Sequence, residues 1–323
     1  MEKKKISFLK IVIAVIISLI SVIFIIYRLS LIPQEKLDGI FSALSSTNHI
    51  YTLIAVFVLM FGNWTMEILK WKLLLKPRIK ISRKRAAESV ISGISLGAIT
   101  PSRIGEFAGR IFFLPDKDKI FGTVASFIGG FAQNIVTVFT GLICMIFYII
   151  LFEHKIIKEE SIFFYLVFVL SVIVIILLML VYLNISYFIG KISHWKIVNK
   201  LEKYLPHIAD WNSKNLGIIF LYSLIRYVIF TIQYLLLLYI FGVDLPLQEQ
   251  IIKIGLIFML TSFIPSYSVS DIVNRGSVSM AIFNNTTMDL AVAAASITLW
   301  IVNLAIPGLI GNVFLIKESR SEK

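Results

Sequence analysis

Ionisable side chains occur in two interrupted segments of a chain that is otherwise largely apolar. In the first segment, Pro101 is followed by Ser102 and Arg103, and then by Glu106 and Arg110. A helix that begins after Pro101 would bring the last three side chains within ion-pairing distance, because residues three or four positions apart share a face. Its exposed N–H groups and positive dipole end would lie near Ser102 and Arg103. This arrangement is typical of a binding site for an anion such as phosphate.

The second segment follows Pro265 and carries hydroxyl, amide and ionic side chains. In order, they are Ser266, Tyr267, Ser268, Ser270, Asp271, Asn274 and Arg275. Hydroxyls and a carboxylate at this spacing could bond an unwound backbone or bind a polar headgroup. An alternative applies to both segments: the charges neutralise one another and only stabilise the local turn.

A further arginine, Arg226, lies deep inside the apolar stretch 216–241. It is about 15 Å from the start of that stretch at 1.5 Å per helical residue, close to the middle of a bilayer. A charge at this depth costs roughly 2.5–3.5 kcal/mol, so it needs an acidic partner or a watery cavity. The sequence favours Glu106 or Asp271 as that partner.

Four amides could support the same site. Gln233 lies on the same helical face as Arg226, Gln133 and Asn134 lie in another apolar stretch, and Asn303 lies in the last one. The alternative for these amides is simple polar contact between neighbouring helices.

Composition places the chain in a membrane. It is 58% hydrophobic and 15% charged, whereas soluble domains average about 45–50% apolar and 25% charged residues. The net charge of +12 comes from basic residues beside the apolar stretches, which is typical of cytoplasmic loops near anionic lipid rather than of a nucleic-acid-binding face.

The predicted fold is all-α, a single transmembrane domain over residues 1–323. It has about six full spans and two re-entrant helical hairpins, the spans at 6–27, 50–70, 121–152, 161–184, 216–241 and 289–316, and the hairpins at 86–114 and 250–287. Irregular backbone at bilayer depth requires shielding by protein or by a cavity. The predicted location is the cell (inner or plasma) membrane. In this scheme both termini and the basic segments, including 70–85 with Lys70, face the cytoplasm.

The order of spans and hairpins occurs twice, in 1–152 and in 161–316, with opposite polarity. Inverted repeats of this kind are typical of secondary transporters, which bind their substrates near the midplane between the two copies.

The sequence lacks the residue patterns of disulfide-bonded, metal-binding, nucleotide-binding and hydrolytic proteins. The single cysteine, Cys144, excludes an intramolecular disulfide, and none of the four histidines has a ligand spacing for a metal. The sequence has no P-loop and no nucleophile elbow. We therefore expect no metal, no cofactor and no enzymatic activity.

Three motifs resemble those of a known family. They are Thr100–Glu106, which reads T-P-S-R-I-G-E, then Asn63-Trp64 ahead of Lys70-Trp71-Lys72, and Trp300–Asn303 followed by Pro307–Gly311. The first is similar to the T-P-G-R-x-G-E segment in the membrane region of lysylphosphatidylglycerol synthases and their stand-alone relatives, called flippase-like integral membrane proteins. The resemblance implies lipid translocation between leaflets and a double re-entrant architecture.

The chain also departs from that family. It has Gln133-Asn134 where the family usually has Glu-Arg, and only Pro265 and Arg275 remain clearly from the second-hairpin motif. The soluble aminoacyl-transferase domain of bifunctional members is missing, so lipid aminoacylation is not expected.

Together these observations predict a flippase-like transporter of an anionic phospholipid or lipid-linked headgroup, which could assemble as a homo-oligomer. The predicted headgroup-binding residues are Ser102, Arg103, Glu106, Arg110, Arg226, Ser266, Asp271 and Arg275. Two alternatives remain: a membrane-embedded transferase or hydrolase that uses Glu106 or Asp271 as its base, and a non-catalytic membrane scaffold.

Overall fold

The structure is a computed structural model that describes residues 47–98, 100, 103–152, 161–193, 204–264 and 268–321. These residues form α-helices, with short 3-10 and π segments and no strands. The predicted first span, 6–27, and two predicted site residues, Ser102 and Ser266, lie outside the described residues, so those expectations stay predictions.

The described helices are numbered here in chain order. They are α1 (Thr47–Leu75), α2 (Arg83–Ala98), α3 (Gly105–Ile111), α4 (Lys119–Phe152), α5 (Ser161–Leu183), α6 (Ile185–Ser193), α7 (Leu205–Ala209), α8 (Ser213–Ile240), α9 (Leu247–Phe263), α10 (Ser268–Phe283), α11 (Asp289–Trp300) and α12 (Ile306–Ser321).

Four of the described helices are long and apolar enough to cross a membrane. They are α1 from His49, α4 with the turn before it, α8, and the continuous helix Asp289–Arg320 that joins α11 to α12. They coincide with four predicted spans. The predicted span 161–184 coincides with α5, which bends by 78° into α6 and is a fifth candidate.

Helix ends follow from local sequence. Helix α1 ends at Leu75, shortly before Pro77, because proline disfavours helical backbone in the residue that precedes it. Helix α8 begins after Asn212, whose side chain accepts a hydrogen bond from the Asn215 N–H at 2.9 Å. It ends before Gly242, whose φ of +72° is left-handed backbone that glycine adopts without strain.

Helices α1 and α8 pack against each other and share two apolar cores. One core contains Trp71 of α1 and Leu216 of α8, and the other contains Met60 of α1 and Leu237 of α8. Both helices bury polar side chains between these two sets of core residues: Asn63, Glu67 and Lys70 on α1, and Ser223 and Gln233 on α8. They form a polar layer between two apolar ones.

The first interrupted segment forms a tight antiparallel helix pair, α2 and α3. A methyl group at Gly105 would overlap the Leu96 carbonyl oxygen, and one at Gly109 would overlap the Ser92 carbonyl oxygen. The glycines therefore allow the two helices to approach closely. Helix α3 has seven residues and is about 10 Å long, too short to cross a hydrocarbon core of about 30 Å.

The continuous helix from α11 to α12 contains a π segment, Ile301–Ala305. Its cause is Pro307, which has no N–H to donate to the Asn303 carbonyl. Just before it, the Ile306 N–H bonds the Ile301 carbonyl five residues back. The resulting wide turn places Asn303, which is 2% exposed, in the polar layer.

Candidate functional site

Glu67 of α1 is the centre of a buried ionic cluster. Its carboxylate is bonded at 2.7 Å by Arg110 Nη2 and at 2.7 Å by Lys70 Nζ, and it also contacts Arg226 Nη1. The Glu67 side chain is 5% exposed. A buried carboxylate is costly without such partners, so these three cations stabilise its charge.

The partner of Arg226 differs from the prediction. The acid that it contacts is Glu67, so the expectation of Glu106 or Asp271 was wrong. The reason is that α8 packs along α1, which brings Arg226 Nε to 2.8 Å from the Asn63 side-chain oxygen. Its Nη1 also lies 3.4 Å from the side-chain oxygen of Gln133 on α4.

Lys70 also has a different environment from the expected one. The sequence placed it in a cytoplasmic basic segment, but its side chain is 1% exposed and bonds Glu67. It further donates to the Gly129 carbonyl at 3.3 Å and to Ser223 Oγ at 3.4 Å. The helix continues to Leu75, so Lys70 lies a full turn inside α1.

The ion pairs predicted in the first segment are confirmed. Arg103 is 3.0 Å from Glu106, and Glu106 is 2.5 Å from Arg110, which bridges Glu106 and Glu67. Exposure of the side chains falls along this chain of charges, from 40% at Arg103 through 25% at Glu106 to 6% at Arg110. The cluster therefore extends from an accessible arginine to a buried one.

In the second segment, Arg275 pairs with Asp271 at 3.1 Å on one face of α10. The Trp300 indole N–H donates to the same Asp271 oxygen at 3.0 Å. Arg275 and Trp300 line an open cavity, whereas Asp271 is not among its lining residues and contacts both of these residues.

A relay of amides joins three helices beside the ionic cluster. The Asn63 amide donates to Asn303 at 3.0 Å, and the Asn303 amide donates to Gln233 at 3.1 Å. The Gln233 amide donates to the Val56 carbonyl at 2.8 Å. Gln233 and Asn303 therefore stabilise the ionic cluster indirectly, because they hold Asn63, which accepts a hydrogen bond from Arg226.

Only one of the two predicted amides of α4 faces the site. Gln133 lines the cavity and donates to the Ser223 carbonyl at 3.3 Å. Asn134 is exposed and does not line the cavity, contrary to the prediction. Consecutive residues of a helix point about 100° apart, so α4 can direct only one of this pair inward.

An open cavity with a volume of about 210 Å³ brings these groups together. Its ionic lining comes from α1, from both interrupted segments and from α8, and consists of Glu67, Arg103, Glu106, Arg110, Arg226 and Arg275. Its other walls include Trp64, Phe230, Phe258 and Leu299. Guanidinium groups suit phosphate oxygens because their N–H donors form a planar fork, and the apolar walls suit the part of a lipid next to its headgroup.

Sequence reasoning missed Glu67 and Asn63 as members of the site. One signal was available for Glu67: it is the only acidic residue in the apolar stretch 50–70, and an intramembrane acid indicates a functional or paired position. Asn63 lies four residues earlier, on the same helical face.

Comparison with known proteins gives one family. The family model described as the lysylphosphatidylglycerol synthase TM region matches residues 9–312. No curated protein matches the chain.

Proposed function

The chain belongs to the family of the lysylphosphatidylglycerol synthase TM region, and on that premise we propose that it moves an anionic phospholipid or lipid-linked headgroup between membrane leaflets. The family and the apolar helices make it a multi-pass membrane protein. The basic residues beside its spans support a cell membrane location with both termini in the cytoplasm.

The observation that carries this proposal is the shared cavity. Arg103 and Arg110 from the first segment, Arg226 from α8 and Arg275 from the second segment all line it. Each arginine is already paired with a carboxylate. A phosphate that enters exchanges one anionic partner for another, so the charges need not be exposed to hydrocarbon during binding.

The gradient of exposure supports a direction of entry. Arg103 is the most accessible arginine of the first segment, and Arg110 is almost fully buried. A headgroup would contact Arg103 first. Its phosphate would then move to Arg110 and Arg226, the two arginines that pair with Glu67. The acyl chains would stay against the apolar outer surface, where side chains such as Val58 are exposed.

Helix contacts support the proposed inverted repeat of 1–152 and 161–316. The corresponding spans α1 and α8 pack on each other. Helix α4 of the first copy packs on α9 of the second copy, and α12 of the second copy packs on α2 of the first. Two copies related by a pseudo-two-fold axis produce such reciprocal pairs. In this scheme the pairs α2–α3 and α9–α10 are the two re-entrant hairpins.

The proposal assigns no covalent chemistry to the site. The candidate bases of an embedded transferase or hydrolase are Glu106 and Asp271. Glu106 is bound by two arginines, and Asp271 is bound by Arg275 and Trp300. Both carboxylates are therefore occupied as ion-pair partners, a role that transport requires.

Transport of labelled lipid tests the proposal. The purified full-length protein is reconstituted into phosphatidylcholine vesicles that contain fluorescent phosphatidylglycerol, and the arrival of probe in the outer leaflet is followed by chemical quenching. We expect protein-dependent movement that is much slower in Arg103→Ala and Arg226→Ala. Arg83→Ala is the matched control, since Arg83 is exposed and does not line the cavity.

Three results would contradict the proposal. In the first, the native protein moves none of the anionic lipids, including those with two charges. In the second, folded Arg103→Ala moves lipid as fast as Arg83→Ala. In the third, mass spectrometry finds the lipid covalently altered, which would favour an enzyme.

A further inference from the structure

The charges around the cavity do not balance. Five cationic side chains either line the cavity or contact an ionic group that lines it: Arg103, Arg110, Arg226, Arg275 and Lys70. Three are carboxylates: Glu67, Glu106 and Asp271. Five cations against three anions leave two positive charges in excess among the described residues.

This excess has an energetic consequence. Unpaired charge in a poorly solvated site is costly, and at membrane depth it needs a partner or water. The carboxylates are already shared: Glu67 alone contacts three cations. A ligand that supplies two negative charges would make the site neutral, whereas one that supplies a single charge would leave one cation uncompensated.

Two buried donors of the cavity wall also lack acceptors. The indole N–H of Trp64 and the Nε–H of Arg110 have no hydrogen-bond partner in the part of the chain that the structure describes. Trp64 is 5% exposed, and both residues line the cavity. Buried donors are normally bonded, and an indole N–H can only donate. Two residues of the cavity wall therefore carry buried N–H groups without an acceptor, as expected of a site whose polar ligand is absent.

From the charge excess and these free donors we propose that the cavity selects lipids whose headgroup carries two negative charges on phosphate. This proposal rests on the proposed function and narrows its substrate class. Such charge has two chemical sources: a phosphate monoester, as in phosphatidic acid, or two phosphodiesters, as in cardiolipin. Singly charged phosphatidylglycerol binds less well, because it leaves one cation of the site uncompensated.

A comparison of transport rates among lipids tests the selectivity. The full-length protein is reconstituted into phosphatidylcholine vesicles with one trace lipid at a time, each labelled on an acyl chain: phosphatidic acid, cardiolipin, phosphatidylglycerol or phosphatidylcholine. We expect at least one doubly charged lipid to move roughly tenfold faster than phosphatidylglycerol, which is equivalent to a free-energy difference of about 1.4 kcal/mol. Which of the two moves faster identifies the monoester or the double diester as the source.

The remaining outcomes separate this inference from the proposed function. If phosphatidylglycerol moves as fast as both doubly charged lipids, the selectivity is refuted and anionic lipid transport stands. If phosphatidylcholine moves as fast as the anionic lipids, the protein does not discriminate between headgroups by charge, and both proposals fail. If no lipid moves, both proposals also fail.

A charge variant gives a second, independent readout. Arg103→Gln removes one cation from the partly exposed end of the cluster and leaves Glu106 paired with Arg110. We expect the rate ratio of doubly to singly charged lipid to fall towards one. Arg83→Gln removes the same charge from an exposed position outside the cavity and should leave the ratio unchanged. Equal ratios in the two variants would overturn the charge argument.

Discussion

Glu67 and Arg226 are 159 residues apart in the chain and contact each other across the interface of α1 and α8. Arg110 of the first interrupted segment bonds the other oxygen of the same carboxylate. A single acidic side chain thus holds together the two helices that cross the centre of the fold and the short helix beside the cavity.

Removal of the Glu67 charge should strongly destabilise the protein. In Glu67→Gln, the cations of Arg110, Arg226 and Lys70 lose their common carboxylate, and breaking a buried ion pair in this way costs about 3–5 kcal/mol. Thermal unfolding in detergent, followed by size-exclusion chromatography, measures the loss. The control is Glu88→Gln, whose partner Arg85 is 3.9 Å away and whose partly exposed pair should contribute at most about 1 kcal/mol. Equal stability of the two variants would contradict the central role of Glu67.

A methyl group at Gly109 should separate α3 from α2. The added Cβ of Gly109→Ala would overlap the Ser92 carbonyl oxygen and the Gly93 Cα, and such overpacking costs about 1–3 kcal/mol. Gly130→Ala is the matched control, since a Cβ there has no neighbour within 4 Å. We expect a lower unfolding temperature and slower lipid movement only in Gly109→Ala. A Gly109→Ala protein that matches Gly130→Ala in both measurements would refute the tight packing.

Loss of the Asn303 amide should weaken the relay behind the cluster. Asn303→Leu leaves the Asn63 amide and the Gln233 side-chain oxygen without their partner, and buried groups left unbonded cost about 1–3 kcal/mol each. Asn134→Leu makes the same exchange at an exposed position and should be nearly neutral. Unfolding temperatures of the two purified variants decide the comparison, and a neutral Asn303→Leu would show that the relay contributes nothing.

The second interrupted segment should contribute to transport without being needed for folding. Arg275 lines the cavity and is 26% exposed, and Asp271 keeps its bond from Trp300 when Arg275 is removed. In Arg275→Ala we expect unchanged thermal stability and a rate of anionic lipid movement reduced roughly tenfold or more, the equivalent of about 1.4 kcal/mol of lost interaction. Arg320→Ala, at the exposed end of α12, is the control. Native-like transport by Arg275→Ala would remove this segment from the site.

Local spacing was enough to predict part of this site. The pair of Glu106 and Arg110 follows from helical periodicity within α3, and the close approach of α2 and α3 follows from their glycines. Arg103 lies before α3 with a left-handed φ of +56°, so its pair with Glu106 depends on the turn and not on the helix that the spacing predicted. The interrupted character of both segments followed from their prolines.

Long-range packing decided what spacing could not. The partner of Arg226 depends on how α8 lies along α1, and no local pattern specifies that. Lys70 looked like a loop residue because basic residues follow it, although α1 continues to Leu75. The inward choice of Gln133 over Asn134 depends on the rotation of α4 about its axis, which its nearly uniform apolar sequence leaves open.

The π segment before Pro307 also fixes the register of the C-terminal helix. One extra residue in that turn rotates everything after it by about 100° relative to a regular helix. In the rotated position Gly311 lies against the Ile91 carbonyl, and its own carbonyl accepts from Ser92 Oγ at 3.3 Å. Deleting a single residue from 301–305 would turn this seam away from α2. The same inserted residue thus keeps α12 packed against α2.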